Sequence, residues 1–418
     1  MKFLSLFLLV LVLAADASAQ EPWMPYAGRD MSLQDCLAMA LEQNPGLHAS
    51  QARVDGAFAR ITEARSAMFP QVRFAGRWLE LSDVPSFSLT LPAPIGTRTL
   101  FPAINHSYSA RVYLQQTLFA GFRVRRSLEM AAYGGSAAEM DYRRDQADLI
   151  LKVSSSYWNL VRAVQVDSVL AQAVQQVESH LADARNFRTQ GLLSDLDVLK
   201  VETRLSEMKV RHIEARGGIR LASMMLNSLM GADLLFAVRP TDSPSRLLQD
   251  SVETQRPLEL LLAQAQERRA EVAAMKERRN MQEAAVGAAN GGWFPHVMLV
   301  AGYEYANPNS RYLPPSDKWE KTWDIGLQVQ WNLWDWFSTA GQADQARAGL
   351  RQAQAGLTQV RDGVAMEAAQ SYLKLVESRQ RVQAAAQGVR AAVEGERIGR
   401  ERFRLGLAAS TELLDAEG

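Results

Sequence analysis

The chain contains the same arrangement of motifs twice, and this duplication limits its possible folds more than any other feature. Three pairs of motifs recur in the same order: MFPQV at Pro70 with WFPHV at Pro295, SSYWNLV at Tyr157 with QSYLKLV at Tyr372, and FRTQGLLSDLDVL at Gly191 with FRLGLAASTELL at Gly406. The members of each pair lie roughly 215 to 225 residues apart. Landmarks that keep their order and spacing predict two copies of one structural unit.

Each copy contains two segments in which apolar and polar side chains alternate. The most regular is TWDIGLQVQWNLW at residues 322–334, and residues 71–79, 106–118 and 297–305 show the same period of 2. This period predicts strands with one apolar and one polar face. We therefore expect a hairpin at about 71–118 and another at about 296–333. Residues 82–105 are rich in proline and are expected to form an exposed loop.

A long helical pattern follows each hairpin. No convincing stop signal stands between Gly121 and Gly191, so a helix of roughly 70 residues, about 100 Å long, is expected. A turn at about 190–195 then leads into a helix that ends near Met230. Residues 20–230 form the first repeat, 231–257 a linker and 258–418 the second repeat. The second repeat has its turn at about 405–410, and its last helix is expected to be truncated at Gly418.

The N-terminus predicts export from the cytosol. Lys2 precedes an apolar run at residues 3–15 and a small-residue cleavage site, which together are typical of a signal peptide at residues 1–19. No later run reaches the roughly 18 apolar residues of a membrane-spanning helix. If the chain crosses a membrane, it must do so with strands.

The two faces of the strands suit two environments. Alternating arginines are costly in lipid but acceptable in an aqueous lumen, whereas the other face is apolar with aromatic residues at its ends. A half-buried strand of a soluble sandwich would also alternate. The predicted lumen residues are Arg73, Arg77, Arg111, Asp324, Gln328 and Gln330. The predicted lipid-facing residues are Val72, Phe74, Trp78, Val112, Leu114, Val297, Leu299, Trp323, Ile325, Leu327, Val329 and Trp331.

Four strands cannot close a barrel across a bilayer, because the smallest membrane barrels have eight strands and open edges are not tolerated in lipid. Other copies of the chain must then complete the sheet. Two copies would give eight strands and a filled interior, whereas three would give twelve strands and a water-filled lumen. A conduit requires the larger number.

The signal peptide, the duplicated plan, the Phe-Pro junctions and the two turn motifs together resemble the TolC-like outer-membrane efflux proteins, also called outer membrane factors. The resemblance covers the chain from about Ser32 onward. It implies a mainly α fold: long antiparallel helices form a periplasmic helical barrel, and four strands per protomer contribute to a trimeric, twelve-stranded outer-membrane β-barrel. It also implies an exit duct of a tripartite efflux pump or type I secretion system in the outer membrane of a Gram-negative bacterium. The implied partners are two further copies of the chain, a periplasmic adaptor, an inner-membrane transporter and outer-membrane lipid.

The resemblance also assigns residues at the periplasmic ends of the helices. The implied adaptor-docking tips are Gly191, Leu192, Ser194, Asp195, Gly406, Leu407 and Ser410, and the implied periplasmic aperture is formed by Glu412 and Asp415. The two glycines would also serve simply as helix terminators, and the two acids as ordinary residues of a helix start. Phe403 stands where the family's gate often has a tyrosine, and Ala408 where it often has a basic residue. Any closed state would therefore be held differently or less tightly.

Other classes of function find little support in the sequence. Lys plus Arg equals Asp plus Glu at 46 each, so no nucleic-acid partner is indicated. Neither a phosphate-binding loop nor a metal-ligand cluster nor a nucleophile motif is present, so we expect neither an enzyme nor a cofactor. The remaining alternative is a periplasmic coiled-coil structural or adaptor protein without a membrane barrel.

Overall fold

A computed structural model describes residues 28–92, 94–101, 103–243, 256–405, 407–408 and 412. The expected signal peptide lies outside the described residues. The helices and strands, in chain order, are β1 (Arg29–Met31), α1 (Leu33–Gln43), α2 (Pro45–Ser66), β2 (Gln71–Glu80), β3 (Phe87–Leu91), β4 (Gly96–Phe101), β5 (His106–Ala120), α3 (Arg123–Thr189), α4 (Asp195–Met230), β6 (Val238–Pro240), α5 (Leu258–Arg268), α6 (Ala270–Asn290), β7 (His296–Asn307), β8 (Glu320–Gln330) and α7 (Ser338–Arg404).

The chain divides into two compact units. The helical unit comprises residues 1–48, 145–256 and 371–418, and the sheet unit comprises residues 49–144 and 257–370. Both α3 and α7 contribute residues to both units, and each helix is 67 residues long. The long uninterrupted helices expected from the sequence are therefore present. No helix among the described residues is both long and apolar enough to cross a membrane.

The sheet unit is built on four antiparallel strands in the order β2-β5-β7-β8. These strands are the two expected hairpins, and the hairpins lie side by side. The loop expected at residues 82–105 is more structured than its composition suggested, because β3 and β4 pair within it as a separate two-stranded sheet. Prolines flank both short strands, which is why the composition of this segment predicts a loop throughout.

The strand that we expected at residues 322–334 lies earlier in the chain. β8 begins at Glu320 and its last paired residue is Gln330, which lies opposite His296. Trp331 lies just beyond the strand, and its indole donates a 3.2 Å hydrogen bond to the Trp293 carbonyl. The alternation of side chains thus continues through Leu333, three residues after the pairing has ended.

The helical unit is held together by apolar packing between α3 and α4. The buried cluster contains Val177, Leu181, Ala184, Val198, Val201 and Met208. At another point of this unit β1 and β6 form a parallel pair, so part of the expected linker at 231–257 is a strand. Tyr157 is fully buried, and its hydroxyl donates to the Asp242 carboxylate at 2.9 Å. Burial raises the pKa of Tyr157 to about 12, so this phenol stays a donor at physiological pH.

Candidate functional site

One face of the four-stranded sheet is mainly apolar, and its apolar residues come from all four strands. Residues directly opposite each other on paired strands share a face, and one such row runs from Val72 through Leu114 to Ile325. All the residues that we predicted to face lipid lie on this face, except Trp331. Phe74 is 71% exposed and Leu327 67% exposed, so none of the residues that the structure describes covers these side chains.

The opposite face carries all six predicted lumen residues. Arg73 and Arg77 lie on β2, Arg111 lies on β5, and the acid and the two glutamines lie on β8. The structure brings one pair of them together, since the Arg111 guanidinium donates to the Asp324 carboxylate at 3.2 Å. Gly302 lies between them on β7, where an added Cβ would be 2.9 Å from Arg111 Nη2. A side chain at this position would obstruct the ion pair.

Sequence reasoning missed a third member of this polar network. Arg311, in the loop between β7 and β8, donates to Asp324 Oδ1 at 3.2 Å and to the Trp323 carbonyl at 2.8 Å. Asp324 therefore lies between two arginines, and their charges offset its own. Loop composition carries no periodicity that could have assigned Arg311 to a face of the sheet.

The first predicted tip is a compact helix reversal. The Leu192 N–H donates to the Phe187 carbonyl, and the Gly191 N–H donates to the Arg188 carbonyl, each at 2.9 Å. These two bonds define a Schellman motif, and the φ of +74° at Gly191 explains why glycine occupies the left-handed position. Leu192 itself is 67% exposed. The turn thus presents an apolar side chain at the end of the helix.

The helix that follows the first tip is well capped. Ser194 is the N-cap residue of α4, and its hydroxyl donates to the Asp197 carboxylate at 2.7 Å. This hydrogen bond holds the pKa of Asp197 below its usual value. Asp195 forms an ion pair with Arg188 across the turn. All four predicted residues of the first tip therefore lie within one short reversal.

The second predicted tip is described only in part. Gly406, Ser410 and Asp415 lie outside the described residues. The Leu407 N–H donates to the Arg402 carbonyl at 2.8 Å, and this bond spans five residues, as the bond from Leu192 to Phe187 does at the first tip. Glu412 is exposed and lies 3.8 Å from the Arg402 guanidinium. Leu407 and Glu412 thus both lie next to Arg402.

Phe403, just before the second tip, is buried in an aromatic cluster. Only 5% of its surface is exposed, and its ring packs edge-on against His180 at 5.0 Å and Phe187 at 5.6 Å. This side chain therefore serves packing between α3 and α7 within the helical unit.

Among the described residues no group of His, Cys, Asp and Glu side chains is arranged to hold a metal ion.

This chain is similar to a protein-family model, to known relatives in sequence and to a solved structure. The family model described as "Outer membrane efflux protein" matches residues 36–232 and 261–418. The outer membrane protein TolC of Vibrio cholerae is 23% identical over 320 residues, which are 75% of this chain and 68% of that protein. TolC of Escherichia coli is 22% identical over 276 residues, covering 65% of this chain and 51% of that protein.

Solved structures extend the likeness to the fold. The outer-membrane channel OprN aligns with a TM-score of 0.75 at 20% identity, over 92% of this chain and 83% of that one. The family model covers far more than half of the chain and includes both repeats. The chain therefore belongs to the outer membrane efflux protein family.

Proposed function

We propose that this chain is the outer-membrane exit duct of a tripartite efflux pump or a type I secretion system. The observation that carries the proposal is the two-faced sheet, whose outer strands β2 and β8 have no further strand partner among the described residues. Lipid cannot satisfy such edges. Three copies, each contributing four strands, would join β2 of one protomer to β8 of the next and close a twelve-stranded barrel.

The two faces of the sheet give this barrel its function. The exposed apolar face meets the hydrocarbon of the outer membrane, and the face with Arg73, Arg77, Arg111 and Asp324 lines the lumen. The conduit is passive, and an inner-membrane transporter supplies the energy. The two tips, with Leu192 and Leu407 exposed at 67% and 66%, form the docking surface for a periplasmic adaptor.

The alternative of a periplasmic coiled-coil protein without a barrel is not favoured. Such a protein has no use for an apolar sheet face exposed to this degree, which would be an aggregation hazard in water. The family match includes the segments that carry the four strands.

Planar-bilayer recording on the purified protein tests the proposal. We expect stable single-channel conductance, together with outer-membrane fractionation and a mass of three chains in detergent. Recovery as a soluble monomer or dimer without conductance would reject the duct. A Leu192→Glu, Leu407→Glu double variant should still conduct yet fail to form a cross-linked complex with the adaptor. Unchanged cross-linking would show that the adaptor does not dock on the tips.

A further inference from the structure

Three arginines surround one small residue on the polar face of the sheet. Arg73 and Arg77 lie on β2, two positions before and two positions after Ala75, and Arg111 on β5 lies directly opposite Ala75. Positions two apart on a strand are separated by about 7 Å, and directly opposite residues on paired strands by about 5 Å. An arginine side chain spans these distances. We call Arg73, Arg77 and Arg111 the arginine triad.

Ala75 keeps the middle of the triad open. Its side chain is a single exposed methyl group, so nothing that Ala75 itself carries fills the space between the three arginines. A longer side chain at this position would occupy that space. The triad therefore has a shallow floor with a guanidinium on each of three sides.

The charges of the two arginines on β2 are not offset within the chain. Both side chains are exposed, and neither has an acidic partner among the described residues. The face of β2 and β5 that carries the triad holds glutamine, serine, tyrosine and threonine beside the arginines, but no acid in these two strands. Arg73 and Arg77 therefore contribute two positive charges and their full set of N–H donors to this surface.

Arg111 is only partly neutralised. Its Nη2 donates to the Asp324 carboxylate at 3.2 Å, but Asp324 is shared with Arg311. The buried Nε of Arg111 has no hydrogen-bond partner. Glu304 lies opposite Arg111 on β7, yet among the described residues Arg111 forms its ion pair with Asp324 alone. The third guanidinium thus keeps donor capacity that the chain leaves unused.

We propose that the arginine triad binds the anionic groups of solutes inside the barrel, namely phosphates, sulfonates and carboxylates. A guanidinium stays charged at every physiological pH, and its forked N–H donors match the paired oxygens of these groups. The inference rests on the proposed function, because only a lumen brings solutes along the polar face of the sheet. It adds a class of solute for which the wall of the duct has a specific contact.

Titration calorimetry with tripolyphosphate on the detergent-solubilised protein tests the triad without requiring conductance. We expect the parent to bind, and Arg73→Gln combined with Arg77→Gln to weaken binding by at least about tenfold. The control combines Arg143→Gln with Arg347→Gln. It removes the same charge from α3 and α7, where both arginines already pair with an acid, and should bind as the parent does.

Two results of this titration would overturn the proposal. One is a parent that does not bind tripolyphosphate, or that binds it no better than the double variant does. The other is a double variant that keeps the parent's affinity while its oligomer melts at a lower temperature. The arginines of β2 would then serve as partners for acids on β8 of a neighbouring copy.

Ala75→Leu separates a defined site from a general positive field. This substitution keeps every charge and fills the floor of the triad, so tripolyphosphate should bind severalfold more weakly while the melting temperature in detergent stays unchanged. Unchanged affinity would show that the attraction does not depend on the space between the arginines, which would overturn the site.

Planar-bilayer recording with the same probe distinguishes the site from the duct. Tripolyphosphate should reduce the single-channel current of the parent, and the concentration for half-block should rise in both the double arginine variant and Ala75→Leu. A parent that conducts but neither binds nor is blocked loses only the site. A parent that binds in the titration, weakened as expected in the variants, but never conducts keeps the site and loses the duct.

Discussion

The two repeats match in their long helices and differ in the loops that join the strands of each hairpin. Both α3 and α7 contain 67 residues, so duplication has kept the length of the long helices unchanged. In contrast, the first hairpin carries the additional strands β3 and β4 in its loop, whereas the second folds Arg311 back onto Asp324. The differences between the repeats therefore lie in the hairpin loops, while the two long helices keep one length.

The strongest test of this equivalence places a charge on the apolar face of each repeat. Val112 on β5 and Leu327 on β8 lie about 215 residues apart and are counterparts. Arginine at either position should destabilise the protein by about 2–4 kcal/mol, because it would have to face hydrocarbon. Denaturant unfolding from lipid vesicles and the yield of trimer measure the loss.

Gln328→Arg is the matched control, since it lies next to Leu327 but on the opposite face. We expect normal assembly for this variant. If Gln328→Arg were as damaging as Leu327→Arg, the assignment of the two faces would be wrong. If Val112→Arg were harmless, the two hairpins would not be equivalent in the membrane.

The turn between β5 and α3 and the first turn of α7 should respond differently to a new Cβ. Gly121 has a φ of +58°, so Gly121→Ala forces a left-handed alanine against the Gly291 carbonyl, and the conformation alone costs about 1–2 kcal/mol. Thermal unfolding in detergent should show the lower stability. Gly341→Ala in α7 is the control: this glycine has open space around it, and alanine favours the helix by about 0.5–1 kcal/mol. Equal effects of the two substitutions would contradict a special conformation at Gly121.

The two hairpin loops should differ in their attachment to the sheet. Asp324→Asn removes the common partner of Arg111 and Arg311, while the first-repeat counterpart of Asp324 is Ser109, which has no charge. The Asp324 side chain is 34% exposed and that of Arg311 50%, so solvent screens the pair and the expected loss is at most about 1 kcal/mol. A double-mutant cycle with Arg311→Gln measures their coupling. Additive effects would show that the loop is not held by this contact.

The smallest difference lies at the tips and depends on pH. Asp197 accepts a hydrogen bond from the Ser194 hydroxyl three residues before it, whereas its counterpart Glu412 has Ala409, without a hydroxyl, at the equivalent position. Because this hydrogen bond depresses the folded-state pKa of Asp197, its stabilisation is full above the ordinary pKa and is lost as pH falls through the lower, folded value. The protection factors of the amides in the first turn of α4, which are corrected for the slower intrinsic exchange in acid, should therefore fall as the pH is lowered. Ser194→Ala should remove that pH dependence, and its persistence would point to another group.

Regular periodicity made much of this architecture predictable. An uninterrupted helical pattern indicated α3, α4 and α7, and alternation of side chains indicated the four strands and the two faces on which they place Leu327 and Gln328. The family and the outer-membrane location expected from the duplicated plan are confirmed by the family match. These features are properties of long segments, so single exceptions do not obscure them.

The features that were missed depend on individual contacts. The pairing of β1 with β6 joins segments about 210 residues apart through three residues each, too short a run for a pattern to be visible. Arg311 reaches Asp324 from a loop without periodicity. The left-handed conformation of Trp336, whose φ is +51°, could not be read from its residue type, because tryptophan avoids positive φ and only the turn between strand and helix imposes it.

The outer strands β2 and β8, which have no further strand partner in the part of the chain that the structure describes, have a genetic consequence if three copies close the barrel as proposed. In a threefold assembly each protomer forms two seams with its neighbours, so one defective edge on β2 or β8 opens the whole ring. When half of the chains carry such a defect and copies mix at random, only about one ring in eight contains none. A substitution that disables an edge strand would then be dominant-negative in a cell that also makes the normal chain.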